Sequence, residues 1–329
     1  MKIAIVGVTG LVGQTMIKVL NDSSLTISEL IPVASEKSVG KSVVFRNKAY
    51  SVIGMQQAIT LQPDIALFSC GGAVSKEWAQ EFAKAGITVI DNSSAWRMDN
   101  LVPLIVPSVN GHAIKPKCRI IANPNCSTIQ MVMALAPLHR AFGVQRLVIS
   151  TYQSITGTGV KAIQQFENER NGIVGDMVYP HPIDGNVIPH CDQFLENGYT
   201  KEEMKLIQET RKILENNTMP ITATAVRVPT TGGHSESVNV TFDKPFTIAQ
   251  IKDVLQKAPA VKVYDNPQAN EYPMPIISKD TDTVFVGRLR IDESLSNSLN
   301  MWIVADNLRI GAATNAVWIA EYLVENNLL

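Results

Sequence analysis

The sequence predicts an α/β protein in two parts: a doubly wound parallel-sheet domain, and an α+β domain on a mostly antiparallel sheet. Three observations predict it. Residues 1–127 repeat the order strand, glycine turn, helix, strand, which is how parallel strands joined by crossover helices read. From residue 128 the pattern changes to long β-rich runs set between periodic helices. The 329 residues exceed what one ordinary hydrophobic core needs and are comfortable for two. Hydrophobic residues at 45% and charged residues at 18% fit a globular protein. The formal net charge is −1 with no block of like charges, which gives nucleic acid or an anionic membrane no basic surface.

The elements follow in order. Lys2–Val6 is a short apolar strand, and GVTGLVG leads from it into a helix over TMIKVLND. LTISELIPVAS reads as a second strand. DIALFSC, GGAVSKEWAQEFAKAG and ITVIDNSS read as strand, helix and strand, and CRIIANPNC as a further strand. A helix begins near Cys126. RLVISTYQSITGTG is then a strand with a glycine turn, KAIQQFENERN a helix, and YPHPIDGNVIPHCD a long proline-bearing loop. KEEMKLIQETRKILE is a periodic helix with Met204, Ile207, Ile213 and Leu214 among its apolar positions. TATAVRVPTTGGHSESVNVTFD, DTVFVGRLRIDES and SLNMWIVAD are β-rich. The last segment, GAATNAVWIAEYLVENN, is an alanine-rich helix expected to return to the first domain. The expected domains are therefore 1–127 with 311–329, and 128–310.

The apolar run after Lys2 is too short for a signal-peptide core, and no stretch approaches the roughly 20 apolar residues of a membrane span. Cys70, Cys118, Cys126 and Cys191 form no regular framework, so they read as reduced thiols of a cytoplasmic protein.

Gly7-Val8-Thr9-Gly10-Leu11-Val12-Gly13 sits between the first strand and the first helix. Glycine lets backbone approach a pyrophosphate, and a helix N-terminus offers it unpaired N–H groups. The context is that of a Rossmann-type domain, although the spacing is GxxGxxG and a ligand-free turn is the alternative. The second strand ends in Val33-Ala34-Ser35, followed by Glu36-Lys37-Ser38. Two hydroxyls and a lysine suit a 2′-phosphate and so NADP, whereas Glu36 would repel it unless turned away.

NPNCST, residues 123–128, places Cys126 where a proline-bearing turn meets a helix. A helix N-terminus favours the thiolate, the reactive form, but cysteine is also a common core residue. A thiolate nucleophile needs a proton partner, and His234 in TGGHSES stands between glycines and a strand start. His112 and His139 lie beside surface-like turns. His181, His190, Cys191 and Asp192 match no zinc spacing, and no metal is expected there.

Over nearly its whole length the chain resembles the aspartate-β-semialdehyde dehydrogenases. The resemblance is carried by GVTGLVG, ASEKSVG, FSCGG, DNSSAWRM, NPNCST, YQSITGTG, EEMK, RVPTTGGHSES, VGRLRID and DNLRIGAATNA. It implies reduction of L-aspartyl-4-phosphate to L-aspartate-4-semialdehyde with NADPH, on the route to lysine (through diaminopimelate), threonine and methionine. It implies Cys126 as nucleophile through a thioester, Gln153 as its positioning partner and His234 as general acid/base. Arg227 would clamp the substrate α-carboxylate and Glu202 would take its ammonium group. Arg97, Asn125 and Lys205 would hold the phosphate. Gly7, Thr9, Gly10, Leu11, Val12 and Gly13 would lie at the cofactor pyrophosphate, Ser35, Lys37 and Ser38 at its 2′-phosphate, and Gly157 and Asn315 near its nicotinamide. A homodimer formed by the second domain is also implied, as is the absence of metal.

Glu202 and Lys205 are three residues apart and share a helix face, a spacing that by itself reads as a solvent-exposed ion pair. Many relatives carry arginine where this chain has Lys37, a point charge without arginine's fork, so a weaker preference for NADP over NAD is expected. Two rivals remain at the level of sequence. N-acetyl-glutamyl-phosphate reductases share the chemistry but usually place glycine before the cysteine and an aromatic after it, where this chain has Asn125 and Ser127. A non-catalytic dinucleotide-binding paralogue would lack the constellation of Cys126, Gln153, Arg227 and His234.

Overall fold

The computed structural model describes all residues, Met1–Leu329, and divides into two compact units, Met1–Asn125 with Ala312–Leu329, and Cys126–Gly311. In the first unit the chain runs β1 (Lys2–Val6), α1 (Leu11–Asp22), β2 (Glu29–Val33), β3 (Ser42–Phe45), β4 (Lys48–Ser51), α2 (Met55–Thr60), β5 (Ile65–Phe68), α3 (Gly72–Lys84), β6 (Thr88–Asp91), α4 (Pro107–Asn110) and β7 (Ile120–Ala122). Five strands form a wholly parallel sheet in the order β2-β1-β5-β6-β7. Their apolar runs are continuous rather than alternating because helices cover both faces, and β5 and β6 are buried throughout. The chain winds outward from β1 to β2 and then from β5 to β7. The crevice beyond the carboxyl ends of β1 and β5 is therefore the topological switch point, where ligands of such sheets bind.

The β3–β4 hairpin has no counterpart in the sequence reading. Its turn residues Arg46 and Asn47 both have positive φ, the geometry of a two-residue hairpin turn, but without the glycine that normally announces it.

The second unit comprises α5 (Cys126–Phe142), β8 (Val144–Ser154), α6 (Val160–Arg170), α7 (Lys201–Ile213), β9 (Ile221–Val228), β10 (His234–Phe242), α8 (Ile248–Gln256), β11 (Val261–Val263), α9 (Pro275–Ser278), β12 (Val284–Ile291) and β13 (Ser298–Ala305). Its sheet has the order β11-β12-β13-β10-β8-β9. The three central pairings are antiparallel, whereas the outer ones, β11 with β12 and β8 with β9, are parallel. Residues 171–199 carry only isolated bridges, as their prolines and turn residues predict.

A π-helical turn over Arg309–Thr314 leads into the last helix, α10 (Asn315–Glu325). Within the first unit α10 packs against α1, α4 and β6, so the C-terminal helix does return there. Its Ala316, Val317, Ile319, Ala320 and Leu323 join the core formed by Ile3, Ile5 and Met16. No helix is long and apolar enough to cross a membrane.

Gly13 shows what the glycine-rich turn demands. A Cβ there would stand 2.4 Å from the Gly7 carbonyl oxygen and 2.7 Å from Val8 Cα, both rigid backbone. G13A is expected to destabilise the protein by about 1–3 kcal/mol through overpacking, which the midpoint of denaturant unfolding would report.

Candidate active site

Cys126 is the first residue of α5, a helix of 17 residues, and is partly exposed. The helix begins there because the preceding Asn123-Pro124-Asn125 stretch cannot continue a strand, and CSTIQMVMAL buries almost every side chain. His234 opens β10. It is delivered by Gly232 and Gly233, both at positive φ, the second so tight that a Cβ would meet the Ala305 carbonyl oxygen at 2.5 Å. The result is a His234 Nε2 to Cys126 Sγ distance of 3.2 Å.

The other ring nitrogen decides the tautomer. The Ser154 backbone N–H donates to His234 Nδ1 at 3.0 Å, so Nδ1 is the acceptor and Nε2 carries the proton toward sulfur. An imidazolium would set an Nδ1–H against that N–H. Complete burial, aided by the Arg227 guanidinium, holds His234 down to about 3, so its resting form is neutral. Two glycines allow the close packing. A Cβ on Gly157 would stand 3.0 Å from His234 Cε1 and 3.2 Å from Arg227 Nη1, and one on Gly311 would be 2.7 Å from Cys126 Cβ.

Arg227, on β9, is buried and gives Nη1–H to the Ser154 carbonyl oxygen at 2.7 Å, while its Nε has no partner. A buried guanidinium with an unspent donor is a ready carboxylate clamp. Glu202 and Lys205 do form an ion pair, at 3.0 Å. The spacing reading of an exposed pair is corrected, because only 7% of Glu202 is accessible. The physical reason is the start of α7. Thr200 caps it, and Glu203 returns to the Thr200 N–H and accepts from the Ala225 N–H, which pins the first turn against β9. Gln153 Nε2 donates to Glu202 at 3.1 Å and to Thr151 at 3.3 Å. Lys205 is also held at 2.7 Å by Asp192, a residue that entered the sequence reading only in a cluster with no zinc spacing.

In the first unit, a cavity of about 790 Å³ opens at the switch point, lined among others by Gly7, Thr9, Gly10, Ala34, Ser35 and Glu36. Leu11, Val12, Gly13, Lys37 and Ser38 do not line it. Gly13 serves the contact of helix and strand, and Ser38 is buried in a short 3-10 turn. Glu36 does not turn away, since its carboxylate faces Gly54 across the cavity wall. Asn315 donates to the Asn123 side chain and to the Ile105 carbonyl, and its own Oδ1 is buried without a partner. The cavity, its glycine floor and that spare acceptor fit a nicotinamide dinucleotide. Arg97 is buried, with Nε on the Asn123 carbonyl at 2.9 Å and Nη2 on the Asn92 carbonyl at 2.7 Å, and Asn125 is buried too.

The class follows from comparison with known proteins. Residues 2–117 match the semialdehyde dehydrogenase NAD-binding domain, and residues 135–310 match the semialdehyde dehydrogenase dimerisation domain. The chain is thus a semialdehyde dehydrogenase by architecture and an oxidoreductase by class. Aspartate-semialdehyde dehydrogenase of Aquifex aeolicus is 50% identical over 100% of this chain and 99% of its own. Aspartate semialdehyde dehydrogenase II of Vibrio cholerae, solved in complex with ASA, is 42% identical with a TM-score of 0.94, covering 99% of this chain and 98% of that one. A Candida albicans aspartate semialdehyde dehydrogenase solved with NADP is 26% identical with a TM-score of 0.78, over 100% and 99% of the two chains. The chain belongs to the aspartate-semialdehyde dehydrogenase family.

Thiol chemistry separates the four cysteines. Burial pushes Cys70 up to about 12 and Cys191 up to about 11, and it raises Cys118 as well. Iodoacetamide near pH 8 is expected to label Cys126 on the order of tenfold or more faster than the others, as peptide mass spectrometry over a time course would show.

Proposed function

We propose that the chain reduces L-aspartyl-4-phosphate to L-aspartate-4-semialdehyde with NADPH, through a thioester on Cys126, in the biosynthesis of lysine, threonine and methionine. The observation that carries this reading is the 3.2 Å contact of Cys126 with a neutral, Nε2-protonated His234, beside a buried Arg227 with a free Nε donor. The Cys126 thiolate attacks the acyl carbon. A C–S bond forms, the C–O bond to phosphate breaks, and phosphate leaves. NADPH, when bound in the cavity of the first unit, would supply the hydride for reduction of the thioester. His234 offers its Nε2 proton to the oxyanion and takes it back as the C–S bond breaks and the aldehyde departs.

The remaining roles are proposed from the same geometry and family. Arg227 clamps the α-carboxylate, and Glu202 takes the α-ammonium. Gln153 acts in positioning the site through its hydrogen bond to Glu202. Lys205, Arg97 and Asn125 hold the phosphate. The first unit binds the dinucleotide, with Gly157 and Asn315 toward the nicotinamide. Ser35, Lys37 and Ser38 favour the 2′-phosphate of NADP, against Glu36. A homodimer through the second unit is supported by the dimerisation-domain match and by the exposure of Tyr152, Met274 and Ile276. Four free cysteines suit a cytoplasmic setting.

The test is NADP⁺ reduction by L-aspartate-4-semialdehyde, with and without inorganic phosphate. Phosphate-dependent turnover that C126S abolishes is expected. Turnover with N-acetylglutamate semialdehyde alone would overturn the substrate, and unchanged turnover in C126S would overturn the mechanism. R227K, which keeps the charge but loses the fork, is expected to raise KM on the order of tenfold, with a smaller change in kcat. E36Q is expected to tighten NADP⁺ binding relative to NAD⁺ by a factor of about two to five, measured by fluorescence titration without turnover.

A further inference from the structure

Glu236 lies two residues beyond His234 on β10 and is wholly inaccessible to solvent. Its strand partners are Thr151 on β8 and Ile303 on β13, which present a hydroxyl and a hydrocarbon. From the first turn of α5, Ser127 and Gln130 lie close enough to act on its charge. The ionisable groups nearest along these elements are Cys126 on α5 and His234 on β10 itself. Neither offers Glu236 a positive partner, since the imidazole rests neutral.

Two facts about hydrogen bonding stand together. Neither oxygen of the Glu236 carboxyl makes a hydrogen bond of good geometry, and the Gln130 side-chain oxygen is also buried without a donor. The Gln130 side-chain nitrogen gives one of its two hydrogens to the His234 main-chain oxygen at 3.3 Å. A carboxylate here would set more acceptors beside the Gln130 oxygen, with only the Ser127 hydroxyl and the second Gln130 N–H near enough to ease its charge, at a cost of about 1–3 kcal/mol for each unsatisfied group and more for a charged one. A single proton on the carboxyl turns the same atoms into a donor and an acceptor. Burial pushes this carboxyl well above the usual carboxylate range, in the same direction.

We propose that Glu236 is a positioning residue that works as a neutral carboxylic acid. It donates its proton to Gln130 and, through Gln130 and the first turn of α5, fixes His234 against Cys126. The inference rests on the reading of Cys126 as the nucleophile. It adds to that reading a reason why a carboxyl is tolerated beneath a thiolate: it carries no charge. Glutamine at this position would supply an N–H donor of the same reach, whereas leucine would fill the space and supply none.

The test uses the full chain with E236Q and E236L. Three readouts are taken: the iodoacetamide rate at Cys126, kcat and KM separately, and the infrared carbonyl band of a protonated carboxylic acid. E236Q is expected to stay within about threefold of the wild type in alkylation rate and kcat and to lose the infrared band. E236L is expected to slow both rates on the order of tenfold with KM little changed. E236Q as slow as E236L, or E236L as fast as the wild type, would overturn the proposal, as would an infrared band that E236Q leaves untouched. Should E236L not fold, Q130M removes the acceptor and keeps the acid. Slowed alkylation then supports the proposal and an unchanged rate overturns it. A wild-type Cys126 no faster than Cys70 would instead sink the reading of the site itself, independently of Glu236.

Discussion

The approach of His234 Nε2 to Cys126 Sγ is the contact on which the rest of the second unit depends. It needs a helix that begins at residue 126, a strand that begins at residue 234, and no side chain where Gly157 and Gly311 stand. Each requirement is met by backbone rather than by adjustable side chains. The Ser154 N–H reaches His234 because β8 and β10 are antiparallel neighbours in fixed register, with Tyr152 opposite Ser235. A histidine held this way has one tautomer available, with its Nε2 proton directed toward sulfur.

Around that contact lies a buried polar layer between the sheet and helices α5 and α7. Gln130, Thr151, Gln153, Glu202, Arg227 and Glu236 are all buried there. Such a layer is costly unless its members are paired. Most are: Gln153 with Glu202 and Thr151, Glu202 with Lys205, and Lys205 with Asp192. The donors and acceptors left over are therefore informative. Arg227 Nε is a donor suited to an anion, and the oxygens of Gln130 and Glu236 are acceptors without a matching donor. In the first unit Asn315 Oδ1 is the corresponding spare acceptor.

The residues of the glycine-rich turn and of the loop after β2 divide their work. The seven-residue turn from Gly7 to Gly13 is one motif in sequence, but its glycines do different work. Gly7 sits at φ +85 and faces the Ser69 carbonyl, and Gly13 lets helix meet strand. Only Gly7, Thr9 and Gly10 of that turn border the cavity. Likewise the hydroxyls and lysine after β2 are not equivalent. Ser35 borders the cavity together with Glu36, while Ser38 is buried in the 3-10 turn and Lys37 projects outward.

The sequence by itself determined the parallel sheet, the helix start at Cys126, the glycine turn before His234 and the return of the last helix. Each is written in hydrophobic period or in backbone-permissive residues, which act within a few positions of themselves. Only the tertiary structure decided that Arg227 and His234 converge, that Glu202 is buried beside Lys205, that Asp192 holds that lysine, and that Glu236 sits without a charge partner. The β3–β4 hairpin belongs with these, since its Arg-Asn turn reads as ordinary polar chain. These facts depend on strand register and on which face of a helix meets a sheet. Both are set by cooperative packing between segments tens to more than a hundred residues apart, and no local window of sequence contains them.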